Sequence, residues 1–302
     1  MTTGSEITAA GFKTIQDKAE SLLGVGSGSR GYGQTVQSAD YSPGTAITKE
    51  QWDLLKNDII NIRTHQDGST PPIIQINAGD VIRFGVTSPN TNYNSLLETA
   101  IANRFNIGPG RSIVSAISTQ STNSTWSNSV SCVITATFSN SNQARYFFNS
   151  GGKLRISASR TGGLSNAQNN FWTNLLASVG IREFGAATDP FVNFYTLTNS
   201  YQIFYQNSSS SPYAANRYRL EAKCNVSNNS TGTANVVDIR VTLVDGYVDP
   251  GNTLYDIPNT GDAVTGTLTI IVDELKASGQ LVPAGIFTIT SPTYSVSAIA
   301  VS

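Results

Sequence analysis

His65 is the only histidine in the chain, which makes it the first residue to consider for catalysis. An imidazole can act as general base for a serine or cysteine nucleophile, but the sequence has no Gly-x-Ser-x-Gly motif to hold one. Zinc requires several closely spaced ligands, whereas His65, Cys132 and Cys224 are scattered along the chain. We therefore expect no metal and no cofactor, and we expect His65 to end a helix, where the negative end of the dipole favours an imidazole.

Three aspartates, Asp245, Asp249 and Asp256, lie around a turn-rich stretch of the sequence. Paired carboxylates can bind calcium or hydrolyse a glycosidic bond. Their spacing is not that of a calcium-binding loop, so we interpret them as solvated turn residues. A depolymerase is the third hypothesis for function, and the chain is predicted not to be an enzyme.

Aromatic residues cluster at residues 146–148 and 171–172, and again at residues 191–205. Aromatic side chains on both phases of a strand indicate that both of its faces are covered. A neighbouring subunit could provide one cover, since Tyr and Trp are enriched at interfaces. The alternative is a platform for carbohydrate, and we favour the subunit interface.

Charged residues make up 13% of the chain, about half of the usual share of roughly 25%. Ser, Thr, Asn and Gln supply the remaining polarity, and they favour turns and strand faces over helix interiors. The formal net charge is −1 and no basic patch stands out, so neither nucleic acid nor an anionic membrane is expected as a partner. We find no secretory signal and no apolar run long enough for a transmembrane helix. Both cysteines lie on the apolar phase of alternating segments and are expected to be buried and free.

The first 68 residues differ from the rest of the chain. One apolar stripe predicts a helix ending near Gly24, and a glycine-rich stretch at residues 24–33 is interpreted as a flexible connection or interface arm. Thr48 and Gln51 form a predicted capping box for a second helix over residues 49–64. Such short helices cannot bury their apolar stripes alone, so they must pack on each other, on the following domain or on a neighbouring subunit. The predicted assembly interface draws on both helices and the first aromatic cluster: Phe12, Ile15, Trp52, Leu55, Ile59, Tyr146, Phe147 and Phe148.

From residue 130 onward the apolar residues repeat with a period of two, which predicts antiparallel strands stacked in a jelly-roll-like β-sandwich. The turn at residues 149–152 is predicted to join strands at 145–148 and 153–158 as a hairpin. Two final strands are predicted at 286–290 and 294–298, and one helix interrupts the sandwich with Phe171, Leu175 and Val179 on one face. The fold class is thus mainly β with a short helical N-terminal region.

A small mixed segment is predicted between these parts, with two short strands at residues 73–84 and a helix at 94–104. Residues 118–129 are dominated by Ser, Thr and Asn and predict a long loop or a domain boundary. The predicted domains are a helical arm with a glycine-rich linker, a mixed α/β segment and the sandwich, in that order: 1–68, 69–123 and 124–302.

Three parts of the sequence resemble virion structural proteins of tailed phages, especially contractile-tailed phages of cyanobacteria. The matching stretches are residues 31–34 with 47–55 and 64–68, the aromatic run at 144–152, and residues 282–292. The resemblance implies a tail or neck component with no catalytic residues. Assembly in the host cytoplasm, residence in the virion and contacts with other virion proteins follow from it.

The leading hypothesis from the sequence is therefore a structural protein of a phage particle that forms homo-oligomers. A glycan-binding host-adhesion module, such as part of a tail fibre, is the second hypothesis. It would give the protein a host-surface glycan as partner. Neither hypothesis requires a membrane insertion or a cofactor.

Overall fold

The computed structural model describes residues 9–41, 46–77, 93–208, 212–247 and 263–302. The chain divides into two compact units, and neither is a continuous stretch of sequence. Unit 1 comprises Met1–Ile113, Asn140–Gly152 and Lys276–Ser291, and unit 2 comprises Val114–Ser139, Lys153–Leu275 and Pro292–Ser302. The predicted domains followed chain order and so differ from these units. Within the described residues, no helix has both the length and the apolar character that crossing a membrane requires.

Among the described residues, five α-helices and eleven strands form these units. The helices are α1 (Ala9–Leu23), α2 (Lys49–Asp67), α3 (Tyr93–Ala102), α4 (Ser141–Asn149) and α5 (Ala167–Val179). The strands are β1 (Ser112–Thr122), β2 (Ser129–Thr137), β3 (Lys153–Thr161), β4 (Arg182–Phe184), β5 (Gln202–Ser208), β6 (Arg217–Cys224), β7 (Val236–Val244), β8 (Thr267–Gln280), β9 (Ile286–Thr288), β10 (Thr293–Val296) and β11 (Ala300–Val301).

The two predicted N-terminal helices are confirmed. The stripe of α1 is buried from Phe12 to Leu22, which are both fully inaccessible to solvent. At the start of α2 the Gln51 side chain accepts a hydrogen bond from Thr48 N at 2.6 Å, which completes the predicted capping box. The helix continues to Asp67, three residues further than predicted, because Gly68 (φ 80°) ends it in the left-handed conformation that glycine adopts without strain.

Two antiparallel sheets form the predicted β-sandwich. One sheet has the order β1-β8-β3-β4 with β9 also on β8, and the other has the order β10-β2-β7-β6-β5 with β11 also on β2. In the centre of the second sheet, Ile239 lies opposite Ile134 on one side and Ala222 on the other. All three side chains are fully buried, so the period-two pattern defines the inner face of the sheet.

Contacts between the layers connect specific strands of unit 2. The rings of Phe184 on β4 and Phe204 on β5 lie 5.2 Å apart. The hydroxyl of Tyr294 on β10 donates to the buried carboxylate of Glu274 on β8 at 2.6 Å. Helix α5 packs on β3 and buries Leu175 and Val179 as predicted.

The predicted hairpin at residues 145–158 is wrong in its first half. Residues 153–158 are a strand, but residues 145–149 belong to α4. Asn140 explains the helix, because its side chain accepts from Gln143 N at 3.0 Å and caps the first turn. Aromatic residues have high strand propensity, but the burial of Phe147 and Phe148 in the helix outweighs that weak preference.

Three smaller predictions also change. The predicted loop at residues 118–129 is wrong over 118–122, where β1 continues, since Ser and Thr suit a half-exposed strand. The last two predicted strands exist, but β9 pairs with β8 whereas β10 pairs with β2. Residues 73–77 are not a strand, and the rest of the hairpin predicted up to residue 84 lies outside the described residues.

Candidate assembly surface

The side chains predicted to form an assembly interface lie inside unit 1. All eight are buried, with relative exposures from 0% at Phe12 to 9% at Tyr146. The rings of Phe12 and Trp52 pack edge to face at 4.9 Å, and Trp52 does the same with Tyr93 at 5.5 Å. The prediction is therefore corrected: these residues form the hydrophobic core of the unit, and no folded neighbour can reach them.

The glycine-rich stretch is a fixed part of unit 1, which corrects its interpretation as a flexible arm. The Arg145 guanidinium donates to Gly28 O at 3.1 Å, Val25 O at 3.1 Å and Arg30 O at 2.8 Å. Asn149 Nδ2 donates to Gly31 O at 3.1 Å. These two side chains of α4 satisfy backbone carbonyls that a loop would otherwise present to water.

Gly33 shows why glycine is required beside this helix. Its φ is +66°, and a Cβ atom there would lie 2.3 Å from the Tyr146 ring. No other residue type fits without displacing the aromatic ring. The conformation of the stretch is thus set by contact with α4, which sequence composition alone did not reveal.

His65 is a core residue and remains neutral. It is 3% exposed, its Nε2 lies 3.0 Å from Ser150 O, and its ring stacks on Phe287 at 4.3 Å. Burial lowers the pKa of His65 to about 4. It does lie in the last turn of α2, as predicted, but an imidazole that is uncharged at neutral pH gains little from the helix dipole. Packing and the hydrogen bond to Ser150 explain its position instead.

The described aspartate of the predicted turn cluster is buried, which corrects the expectation of a solvated residue. Asp245 is 6% exposed and accepts a hydrogen bond from the Gln168 side chain. Asp249 and Asp256 lie outside the described residues. Asp245 therefore has a structural role at the end of β7.

Both cysteines are free and buried, as predicted. Burial raises the pKa of the Cys132 and Cys224 thiols, which disfavours the reactive thiolate. Each sulfur donates to a backbone carbonyl at 3.3 Å, Cys132 to Ser297 and Cys224 to Val226. The two thiols act as small apolar residues of the sandwich.

An exposed acidic group on unit 1 forms a surface ion-pair network. The carboxylates of Asp17, Glu20 and Asp40 lie within 4.8 Å of one another. Lys13 Nζ lies 2.7 Å from both Asp17 and Asp40, and these hydrogen bonds raise the pKa of Lys13. Glu20 accepts from Gln16 at 3.0 Å. The carboxylates are thus partnered by side chains of the same unit.

Strand β1 differs from the other long strands of the sandwich. It has 11 residues, Ser112 to Thr122, and none of them is buried. In contrast, β2, β3 and β7 each alternate between buried and half-buried positions. Ile113 and Val114 are 47% and 51% exposed, and they point to opposite faces because successive strand residues alternate.

β1 ends the order of its sheet among the described residues. Its sequence consists of Ser, Thr, Ile, Val, Ala and Gln, without a charge, a proline or a glycine. An edge strand presents a row of backbone donors and acceptors that can pair with another strand. We refer to this edge as the β1 edge.

The other sheet edges among the described residues carry features that discourage pairing. β9 has only 3 residues. β4 has only 3 residues and includes Arg182 and Glu183. β5 has an irregular register between Ile203 and Tyr205. The opposite edge of that sheet is divided between β10 and β11, with 4 and 2 residues. Short strands, charges and bulges all block edge-to-edge association, and the β1 edge has none of them.

Aromatic side chains form a second, smaller surface feature on unit 2. The rings of Phe171 and Tyr213 stack at 5.0 Å, and Tyr247 packs edge to face on Tyr213 at 4.7 Å. All three are half-buried. Elsewhere in the predicted aromatic cluster Phe191 is 82% exposed, whereas Phe194 is fully buried, so the cluster is not a continuous covered strand.

Comparisons with protein-family models, curated proteins and solved structures give no match.

Proposed function

We propose that this protein is a structural component of a tailed-phage virion, in the tail or neck, that acts through subunit contacts and not as an enzyme. The observation that carries the proposal is the β1 edge, which is long, uncharged and exposed on both faces. Soluble monomers protect such edges, whereas assembling proteins use them to add a strand from a neighbour. The resemblance of three sequence stretches to phage virion proteins supports the location.

The residues that could have served catalysis support the same proposal through their positions. His65 and Asp245 are both buried and hydrogen-bonded inside their units. Both thiols lie in the interior of the sandwich. His65, Asp245 and the two thiols thus stabilise the fold.

Light scattering on the purified full-length protein tests the proposed assembly. We expect a homo-oligomer that the Ile113→Lys variant weakens more than about tenfold, because a lysine on the β1 edge would meet another chain in a desolvated contact. The matched control is Ile203→Lys, since Ile203 is 46% exposed on an edge strand with an irregular register. The control variant should keep the oligomer of the wild-type protein.

The location in a particle needs its own test. Antibody labelling of intact particles and mass spectrometry of purified particles should find the protein at one fixed place. A protein that is monomeric alone and also missing from particles would contradict the proposal.

A glycan-binding module of the virion is the second candidate function. The cluster of Phe171, Tyr213 and Tyr247 favours it, because half-buried rings offer apolar faces for sugar rings. The Trp172 ring lies 5.4 Å from Phe171, so saccharide binding should change tryptophan fluorescence. Titration with a panel of host-surface glycans should show saturation in the wild-type protein and a loss with Tyr213→Ala. A flat response across the panel would remove this candidate.

A further inference from the structure

We infer that the β1 edge pairs antiparallel with the β1 edge of a second copy of this chain. This inference rests on the proposed assembly function and names the partner at that surface. A two-fold axis perpendicular to the sheet would relate the two strands and continue the β1-β8-β3-β4 sheet into its copy. Such closed two-fold contacts are the commonest among soluble homo-oligomers.

The chemistry of β1 favours its own copy over an unlike strand. Recognition of a different protein commonly uses complementary charges, and like charges placed opposite each other reject wrong partners. None of the 11 residues of β1 carries a charge. A second β1 strand therefore meets no repulsion, and the strand offers no charge by which an unlike partner could be selected.

The other sheet edges are less suited to strand pairing, which supports a contact between two β1 strands. The edges at β4, β5 and β10 are short, charged or irregular, so they oppose pairing with a copy. Within the part of the chain that the structure describes, no strand pairs with the outer edge of β1, which is 11 residues long. Among the described strands, β1 is the one long edge without a charge or an irregular register, so a pairing that uses both β1 edges leaves no second edge of this kind for further addition.

A full-length antiparallel overlap defines the register. Residues 112 and 122 then lie opposite each other, and Ile117 lies opposite its own copy at the two-fold axis. Ser115 lies opposite Thr119, a hydroxyl pair that can form hydrogen bonds across strands. Ile113 lies opposite Ser121, and the neighbouring strand reduces the exposure of its 47% accessible side chain.

Cysteine cross-linking tests the partner and the register together. Paired residues in an antiparallel ladder have Cα atoms about 4.5–5.5 Å apart, which is within the range for a disulfide. Under mild oxidation we expect Ile117→Cys alone to give a covalent dimer. Ile113→Cys alone and Ser121→Cys alone should give little, whereas a mixture of the two should cross-link. The wild-type protein is the control, because Cys132 and Cys224 are 1% and 4% exposed.

The outcomes separate this inference from the proposed function. Cross-linking at position 117 with light scattering that shows a dimer supports both. An oligomer that survives Ile113→Lys and gives no cross-link on β1 would overturn the inference while the assembly function stands. If Ile113→Lys dissociates the oligomer but no cross-link forms between two β1 strands, a different strand pairs with the β1 edge. That outcome also overturns the inference. A wild-type protein that is monomeric and absent from particles would overturn the proposed function as well.

Discussion

The two units satisfy their backbone hydrogen bonds in different ways. In unit 2 the backbone hydrogen bonds of the sheets lie in strand ladders, and the side chains of β2 and β7 alternate between the core and the wettable face. In unit 1 irregular segments run between helices, and buried polar side chains pair with their backbone. The residues that do this are Asp58, Asn61, Arg145 and Asn149.

Asp58 is an example of a buried side chain in unit 1 that pairs with several backbone groups. Its carboxylate is inaccessible to solvent and accepts from Gln37 N at 2.9 Å, Ser38 N at 2.8 Å and Ser38 Oγ at 2.6 Å. Asn61 pairs with both Val282 N and Val282 O.

In its loops unit 2 uses buried side chains in the same way, since Asn216 accepts from Gly246 N and Asn229 accepts from Ala234 N. The difference lies in the centre of each unit: the packed segments of unit 1 depend on the geometry of single polar groups, whereas the sheets of unit 2 depend on filled apolar volume.

Replacing Arg145 should cause a large loss of stability, and this loss should arise in unit 1. Arg145→Ala removes the donors to Val25 O, Gly28 O and Arg30 O, and part-buried acceptors that lose their partners destabilise the folded state. We expect a loss of about 2–4 kcal/mol in the free energy of unfolding. Arg145→Lys should recover little, because an ammonium cannot reproduce the planar fork. Urea unfolding followed by circular dichroism measures both, and a fully stable lysine variant would contradict the geometric dependence.

Replacing Ile239 should show the graded response of a packed sandwich. Ile239 is inaccessible to solvent and lies between Ile134 and Ala222. We expect Ile239→Val to cost about 0.5–1.5 kcal/mol and Ile239→Ala about 2–5 kcal/mol, because the cavity grows with each methyl group removed. The same unfolding experiment applies. An abrupt loss already at valine would show that unit 2 shares the dependence on exact shape that we assign to unit 1.

Sequence reasoning predicted unit 2 well because its apolar pattern has a physical cause within each strand. A strand with one buried face must alternate, so residues 130–138 predicted β2 directly. The two N-terminal helices were predicted for the same reason, with a period of 3.6 and a capping box. Their apolar stripes left open whether the helices pack on each other, on the following domain or on a neighbouring subunit, because a stripe shows that a face is covered but does not identify what covers it.

The candidate site could be predicted only in part. The Ser- and Thr-rich composition of residues 118–122 resembles a loop, and only sheet pairing shows that they extend β1. The role of Arg145 depends on contacts with residues more than a hundred positions away. The sequence feature that could have indicated a pairing edge is the absence of charge between residues 112 and 122. That feature can be interpreted only once those residues are known to form an edge strand.

Lowering the pH should reduce the stability of unit 1 through His65, the single histidine. Burial lowers the pKa of His65 to about 4, from about 6.5 in the unfolded chain. The unfolded state binds the proton first, so this contribution to stability is complete above the unfolded value and is lost as the pH falls from 6.5 towards 4. We expect a loss of about 2 kcal/mol between pH 7 and pH 5.

A control variant isolates that contribution. Burial raises the pKa of Asp58, so its effect has the opposite sign: its contribution falls as the pH rises through the raised pKa. His65→Gln removes the imidazole while an amide can still donate to Ser150 O. The difference between wild type and variant should therefore shrink as the pH falls from 7 to 5. A constant difference across that range would show that His65 is not held neutral.

The smallest effect on folding is expected at the β1 edge, where the effect on assembly is expected to be large. Ile113 is 47% exposed, so Ile113→Lys removes little buried apolar area and should change the stability of the isolated chain by no more than about 0.5 kcal/mol. Thermal unfolding at a concentration where the wild-type protein is dissociated measures this change. Circular dichroism should show unchanged strand content. A variant that loses both the oligomer and its own fold would show that β1 stabilises the subunit, since a pure assembly edge affects only the contact between copies.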